Sequence, residues 1–197
     1  MTWALLTVGR TESNILSVSE WKLKNSLVHV YTGEGKGKTT AALGVALRVL
    51  GWGGRVIVVQ FIKGYPNIGE GKFAEEFGDR FALRQFASSD ARGIGSSEVL
   101  ERGQAAQAAL EFAEEVVASG EWDLVILDEV NNAMHYGLVE VAKVLELMGS
   151  KPERTELILT GRYAPQEIID LADYVTEMRA VRHPLGGGLS AREGVDY

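Results

Sequence analysis

The sequence has no cysteine, only three histidines, and no long run of apolar or basic residues. The lack of cysteine excludes disulfide bonds, thiolate catalysis and cysteine-ligated zinc. Its apolar runs are shorter than the roughly 18 residues that a membrane-spanning helix needs. Charged residues interrupt its N-terminal segment, whereas a signal peptide has an uninterrupted apolar region there. A net charge of -7 without a basic cluster argues against nucleic acid or a membrane surface as a partner. These absences favour a soluble, cytoplasmic protein.

The chain length of 197 residues, of which 46% are hydrophobic, suits one domain with a sizeable core. Residues 1–26 are interpreted as an N-terminal arm, with a short helix over about Ser17–Lys24 and Trp21 as its packing anchor. The domain itself is predicted over residues 27–197.

Apolar, β-branched runs alternate with helical segments along this domain. The run Val56–Val59 is apolar at consecutive positions, which is typical of a parallel strand buried on both faces. The alternation predicts an α/β fold with a mainly parallel central sheet flanked by helices. The predicted strands are Leu27–Tyr31, Arg55–Phe61, Phe81–Phe86, Asp123–Leu127, Glu156–Leu159 and Tyr174–Arg179, and the predicted helices are Lys38–Leu50, Gly69–Phe77, Glu98–Ser119, Leu138–Met148 and Pro165–Leu171.

A glycine-rich loop lies between the first predicted strand and the first predicted helix, which is the position of a P-loop. It comprises Gly33, Glu34, Gly35, Lys36, Gly37, Lys38, Thr39 and Thr40. Its glycines let backbone N–H groups converge on phosphate, and the helix N-terminus adds positive charge. Lys38 is expected to bind phosphate oxygens and Thr39 to offer a hydroxyl to Mg²⁺. The fold class predicted is therefore a P-loop NTPase of the RecA-like type.

The loop departs from the common pattern G-x-x-x-x-G-K-[ST]. That pattern would put its first glycine at Thr32, whereas the glycine stands one position later at Gly33. Lys36 adds a second cation inside the loop. We therefore expect the phosphates to bind in a modified way.

Two carboxylates follow the apolar run Leu124–Leu127. Side chains at the carboxyl end of a parallel strand face the crevice where ligands bind, so Asp128 or Glu129 is expected to hold a metal ion directly or through water. The sequence leaves open which of the two binds it directly. Lys63 and Arg162 also follow predicted strands and are expected to contact the nucleotide.

The three histidines are not spaced as metal ligands. His29 is expected to pack within or beside the first strand. His135 lies near the crevice, and His183 is either structural or close to the nucleotide; the sequence does not separate these alternatives.

The loop, the acidic strand end and the C-terminal segments together resemble the ATP:corrinoid adenosyltransferases of the bacterial vitamin B12 pathway. The resemblance covers about residues 27–197. The segments that carry it are Gly33–Ala42, Val59–Gly64, Val125–Asn131, Leu159–Arg162, Ala172–Met178, Val181–Pro184 and Ala191–Tyr197.

The resemblance implies that a corrinoid Co(I) centre attacks the 5′ carbon of ATP and that inorganic triphosphate leaves. ATP would lie in the loop in the reverse of the usual direction, with Lys36 and Lys38 as the catalytic cations that stabilise the triphosphate. Thr39, Asp128 and Glu129 would hold Mg²⁺, with Mn²⁺ as an alternative. The resemblance further implies a homodimer, a reduced corrinoid as the second substrate, and an electron-donating flavoprotein as a partner.

One segment departs from the family. Where the family has a Phe- and Trp-containing loop that helps displace the lower ligand of cobalt, this chain has Phe86–Gly95 without tryptophan. Two alternatives therefore stay open beside the transferase. The first is an NTPase or kinase that uses the γ-phosphate, and the second is an ATP-binding regulatory protein derived from the family.

Overall fold

The computed structural model describes residues 21–62, 67–86, 96–183 and 191–196, with residues 96–99 described by their backbone alone. The strands in this part of the chain are β1 (Val28–Thr32), β2 (Val56–Gln60), β3 (Phe81–Gln85), β4 (Leu124–Asp128), β5 (Glu156–Thr160) and β6 (Tyr174–Glu177). The helices are α1 (Lys38–Gly51), α2 (Gly69–Phe77), α3 (Ser96–Ser119), α4 (Val130–His135), α5 (Val141–Ser150) and α6 (Gln166–Leu171), and a 3-10 turn spans Gly78–Arg80.

The six described strands form one sheet in the order β3-β2-β4-β5-β1-β6. Every neighbouring pair runs parallel, so the α/β prediction with a parallel central sheet is confirmed. β5 lies between β1, which leads into the glycine loop, and β4, which ends in the acidic pair. The carboxyl ends of these three strands therefore meet at one edge of the sheet.

Helices cover both faces of the sheet. All five residues of β2 and of β4 are buried, because each strand packs against helices on both sides. On one face α3 contributes Ala106, Ala109 and Ala113, each completely buried, and these small side chains bring the helix backbone close to the strands. On the other face α1 packs through Ala42 and Ala46. At the sheet edge, β6 is exposed along its length.

The amino end of the sheet is closed by hydrogen bonds between β1 and its neighbours. His29 Nε2 lies 2.6 Å from Glu156 Oε1, and the second oxygen of Glu156 accepts from the Leu27 N–H at 2.7 Å. Asp173 accepts from the Val28 N–H at 2.8 Å. Burial, and then the nearby Glu156 carboxylate, raise the pKa of the Tyr31 phenol in this cluster. His29 thus has the packing role expected of it.

The helices between β4 and β5 differ from the prediction. The helix predicted from Leu138 begins at Val141, and the separate short helix α4 was not predicted. Gly137, at φ 67°, ends α4: its N–H bonds to the Met134 carbonyl at 3.0 Å, and the Leu138 N–H bonds to the Ala133 carbonyl at 2.9 Å. This is a Schellman motif, in which a left-handed glycine supplies partners to the last carbonyls of a helix.

The predicted helix over Ser17–Lys24 lies partly outside the described residues, and residues 21–24 are not helical. Trp21 does pack on the domain, since a Cβ added at Gly54 would lie 2.7 Å from its ring. Among the described helices, none combines the length and the apolar composition that a membrane crossing requires.

Candidate active site

The glycine loop of residues 33–40, which is the expected phosphate loop, connects β1 to α1 and wraps around the amine of Lys38. Lys38 Nζ donates to the carbonyl oxygens of Gly33 at 2.7 Å and Gly35 at 2.8 Å. Gly33 and Gly37 have φ values of 91° and 117°, which glycine adopts without strain. The Gly35 N–H donates to the Met178 carbonyl at 2.6 Å, and a Cβ at Gly35 would lie 2.7 Å from that oxygen. The chain beyond β6 therefore passes too close behind the loop for a larger residue at Gly35.

The C-terminal segment lies against Lys36. Lys36 Nζ is 3.1 Å from Asp196 Oδ1 and donates to the Val195 carbonyl at 3.3 Å. The Arg192 N–H donates to Asp196 Oδ2 at 2.9 Å, and Arg192 Nε contacts the same oxygen at 3.1 Å. The bonds from Arg192, and next the bond from Lys36, lower the pKa of Asp196 to about 2. The second loop lysine is thus held by a carboxylate from the far end of the chain.

Asp128 is completely buried at the end of β4 and accepts hydrogen bonds from three side chains. Its Oδ1 accepts from Thr160 Oγ1 at 2.6 Å and Thr39 Oγ1 at 2.8 Å, and its Oδ2 accepts from Gln60 Nε2 at 3.2 Å. These donors come from the ends of β5 and β2 and from the start of α1. Asp128 therefore joins the phosphate loop to the centre of the sheet.

Glu129 differs from Asp128 in both its solvent exposure and its backbone conformation. Its side chain is partly exposed, and its φ of 64° is left-handed, which is uncommon for a residue other than glycine or asparagine. The Glu129 N–H donates to Thr160 Oγ1 at 3.0 Å. The left-handed turn separates two adjacent carboxylates, one buried in the sheet and one reaching solvent.

The loop after β5 is held at both ends. Asn131 Nδ2 donates to the Gly161 carbonyl at 3.3 Å, and the Arg162 N–H donates to Asn132 Oδ1 at 2.6 Å. On the other side, the Ala164 N–H donates to Thr32 Oγ1 at 3.2 Å. Thr32, which occupies the position of the usual first glycine, thus fixes a neighbouring loop.

This held loop brings two side chains to the phosphate loop. A guanidinium nitrogen of Arg162 lies 3.4 Å from a carboxylate oxygen of Glu34. Hydrogen bonding to Glu34, and then the charge of that carboxylate, raise the pKa of the Tyr163 phenol. The rings of Tyr163 and His135 lie 4.2 Å apart between centroids.

The carboxyl end of the sheet thus gathers most of the residues singled out in the sequence. Residues 33–40 form the loop, and Asp128, Glu129, Arg162 and His135 lie on the elements that border it. Lys63 and residues 87–95 lie outside the described residues, although Phe86 packs on Phe112 at 5.4 Å between ring centroids. His183 is exposed. The described part of the chain holds no cluster of three or more His, Asp or Glu side chains suited to a metal ion.

Sequence reasoning missed several residues of the site. Thr160 and Gln60 end apolar strands as Asp128 does, so a polar residue at a strand end was an available signal. Tyr163 and Asp196 gave no such signal, because their positions depend on contacts made by distant residues.

The fold and the loop define a P-loop protein of the α/β class. The family model described as ATP:corrinoid adenosyltransferase BtuR/CobO/CobP matches residues 24–197, and the chain belongs to this family.

Curated relatives of this chain carry the same family description. The corrinoid adenosyltransferase of Sinorhizobium sp is 38% identical over 88% of this chain and 81% of its own length. That of Escherichia coli K12 is 35% identical over 91% of this chain and 90% of the relative. Corrinoid adenosyltransferase CobA of Salmonella typhimurium is 36% identical with the same coverage. Among solved structures, AMPPCP-bound DnaA from Aquifex aeolicus is 15% identical over 82% of this chain and 43% of its own, with a TM-score of 0.33.

Proposed function

We propose that this protein transfers the 5′-deoxyadenosyl group of ATP to the Co(I) centre of a reduced corrinoid and releases inorganic triphosphate. The observation that carries the proposal is the family match over residues 24–197, which includes the whole phosphate loop. An electron pair of Co(I) forms the cobalt–carbon bond as the C5′–oxygen bond breaks, and that bond's pair leaves with the triphosphate. The reaction therefore asks the protein to position ATP and to neutralise a leaving anion, and it needs no general base.

Lys38 and Lys36 are assigned to the leaving triphosphate. Lys38 already points into the loop, where it lies 2.7 and 2.8 Å from two backbone carbonyls that phosphate oxygens would replace as its partners. Lys36 belongs to the same loop, and Asp196 holds its amine at 3.1 Å. Arg162, on the Glu34 side of the loop, and Lys63 complete the proposed nucleotide contacts.

The residues at the end of β4 fit a Mg²⁺ ion. Thr39, Asp128 and Glu129 offer only oxygen donors, which Mg²⁺ prefers and Mn²⁺ accepts, and the Thr39 hydroxyl lies 2.8 Å from Asp128. Glu129, which is partly exposed, and Thr39 are proposed as the direct ligands, with Asp128 orienting Thr39 from behind. A bound ion would add positive charge at the phosphates.

A homodimer, a cytoplasmic location and an electron-donating flavoprotein complete the proposal. The electron donor follows from the chemistry, because Co(I) must be produced by reduction.

The proposal is tested by incubating the protein with Mg-ATP and chemically reduced cobalamin. We expect a light-sensitive cobalt–carbon chromophore together with triphosphate in equal amounts. ADP formation without triphosphate would instead identify an NTPase or kinase, and ATP that binds but stays intact would identify an ATP-responsive binding protein. Either result would overturn the proposal.

A further inference from the structure

Three aromatic rings cluster beside the phosphate loop. The rings of Tyr163 and His135 are tilted by 31° from each other, with centroids 4.2 Å apart. Tyr136 meets His135 edge-on at 5.2 Å. Tyr163 remains 45% exposed and Tyr136 62% exposed. Exposed ring surface at a site is where a flat, unsaturated ligand buries apolar area most effectively.

The cluster is attached to the loop through Glu34. The guanidinium of Arg162, the residue before Tyr163, lies 3.4 Å from the Glu34 carboxylate, and the same carboxylate raises the pKa of Tyr163. Tyr163 therefore lies next to the loop. The two sides of this region differ in charge. Lys36 and Lys38 suit an anion, whereas Glu34 suits a group that donates hydrogen bonds.

The backbone of Tyr163 is strained. Four described residues other than glycine have positive φ: Asn25, Asn67, Glu129 and Tyr163. Asparagine tolerates this conformation, but a bulky aromatic residue at φ 57° is an outlier. Glycine would adopt the same backbone without strain. A strained tyrosine next to the phosphate loop therefore suggests a use for its ring, since strain of this kind concentrates at ligand sites.

We propose that the Tyr163–His135 pair stacks against the adenine base of ATP, while the phosphates occupy the lysine side of the loop. This inference rests on the proposed function. Adenine is a flat aromatic ring that can stack on the exposed surface of Tyr163, and its amino group or a ribose hydroxyl can donate a hydrogen bond to Glu34. A corrin ring fits the pair less well, because it is much wider and bears side chains around its rim.

The test compares ATP with tripolyphosphate, which has the same phosphates but no adenosine. Calorimetric affinities are measured for both, with Mg²⁺, on the wild type and on Tyr163→Gly. Loss of one base–aromatic contact weakens binding by about 5- to 150-fold, so we expect that decrease for ATP and no change for tripolyphosphate. The variant should melt at the same temperature or higher, because glycine removes the strain at this position.

A matched control exists at the other end of the sheet. Tyr174 also pairs with a histidine, His29, at 4.7 Å between ring centroids, and it is 53% exposed. Tyr174→Ala should leave both affinities unchanged, whereas His135→Ala should again weaken ATP alone.

Three results would overturn the inference. Equal losses for ATP and tripolyphosphate in Tyr163→Gly would show that the variant disturbs the loop and not a base contact. Unchanged affinity for both would show that the base binds elsewhere. A raised KM for the corrinoid with unchanged ATP affinity would assign the rings to the acceptor. If the wild type fails to transfer adenosyl groups but the ATP-specific loss is present, the proposed function fails while the base contact stands.

Discussion

The two ends of the sheet both carry hydrogen-bonded carboxylates, but they differ in how far these carboxylates are exposed to solvent. At the amino end, Glu156 and His29 are each 14% exposed and bond to each other and to the backbone at the start of β1. At the carboxyl end, Asp128 is equally well supplied with donors, but its neighbour Glu129 reaches solvent. The amino end is a closed hydrogen-bonded structure, whereas the carboxyl end leaves a carboxylate open to solvent.

Backbone strain separates the two ends as well. Glu129 and Tyr163, the described residues with positive φ that are neither glycine nor asparagine, both lie at the carboxyl end. Such conformations cost about 1–3 kcal/mol each and persist only where the surroundings fix them. Asn132 Oδ1 and Thr32 Oγ1 accept hydrogen bonds from the N–H groups of Arg162 and Ala164 and so fix the loop that carries Tyr163. The strained backbone of Glu129 and Tyr163 therefore distinguishes the proposed site from the polar cluster at the amino end.

The largest effect is expected from Lys38→Ala. Removing the cation at the centre of the loop should abolish measurable binding of Mg-ATP, because the Lys38 amine lies 2.7 and 2.8 Å from the Gly33 and Gly35 carbonyls, where it can neutralise phosphate. Calorimetry checks this, with Lys143→Ala on the exposed surface of α5 as the control. Unchanged ATP affinity in Lys38→Ala would contradict the assignment of the loop.

Gly35→Ala should come next. The added Cβ would lie 2.7 Å from the Met178 carbonyl, so either the loop or the chain beyond β6 must move. We expect a loss of about 1–3 kcal/mol in stability from overpacking and about a tenfold loss in ATP affinity. Denaturant unfolding measures the loss in stability, and calorimetry measures the loss in ATP affinity.

Gly44→Ala is the matched control for that variant. Gly44 lies in α1 with nothing within 4 Å of an added Cβ, so alanine should stabilise the helix by about 0.5–1 kcal/mol. If Gly35→Ala behaved like Gly44→Ala, the close approach of Met178 would have no energetic role.

Glu156→Gln tests the closed end. This change replaces the carboxylate that bonds to His29 and to the Leu27 N–H with a neutral amide. It should lower folding stability by about 1–3 kcal/mol and leave the affinity for ATP unchanged. Urea unfolding measures the loss, and Glu146→Gln on the surface of α5 should stay within about 0.5 kcal/mol of the wild type. A weaker affinity for ATP at unchanged stability would remove the distinction between the two ends.

The smallest effect concerns the C-terminal segment. Because the folded pKa of Asp196 is about 2, below its ordinary value of 3.8, its contact with Lys36 is fully present above about pH 4 and is lost as the pH falls through 2. A carbon-13 NMR titration of the Asp196 carboxyl should show this low midpoint, and Arg192→Ala should raise it. A midpoint near 3.8 in the wild type would mean that the segment does not hold Lys36 in solution.

The sequence predicted the parts of the site that follow from local pattern. Alternating apolar runs and helices indicated the parallel sheet, and the glycine loop and the acidic pair after Leu127 indicated its carboxyl end. The helix α4 was missed because it has only six residues, although Val130, Ala133 and Met134 have helical spacing. The role of Asp196 was missed because its contact with Lys36 joins opposite ends of the chain. The strain at Tyr163 was missed because a φ angle set by Asn132 and Thr32 leaves no mark in the local sequence.

The central claim is that the loop between β1 and α1 binds the triphosphate of ATP. A crystal structure with Mg-ATP tests it most directly. We expect the phosphates against the loop amides and Lys38, with the adenosine on the Glu34 side. An empty loop, with nucleotide bound elsewhere or absent at saturating ATP, would contradict the account.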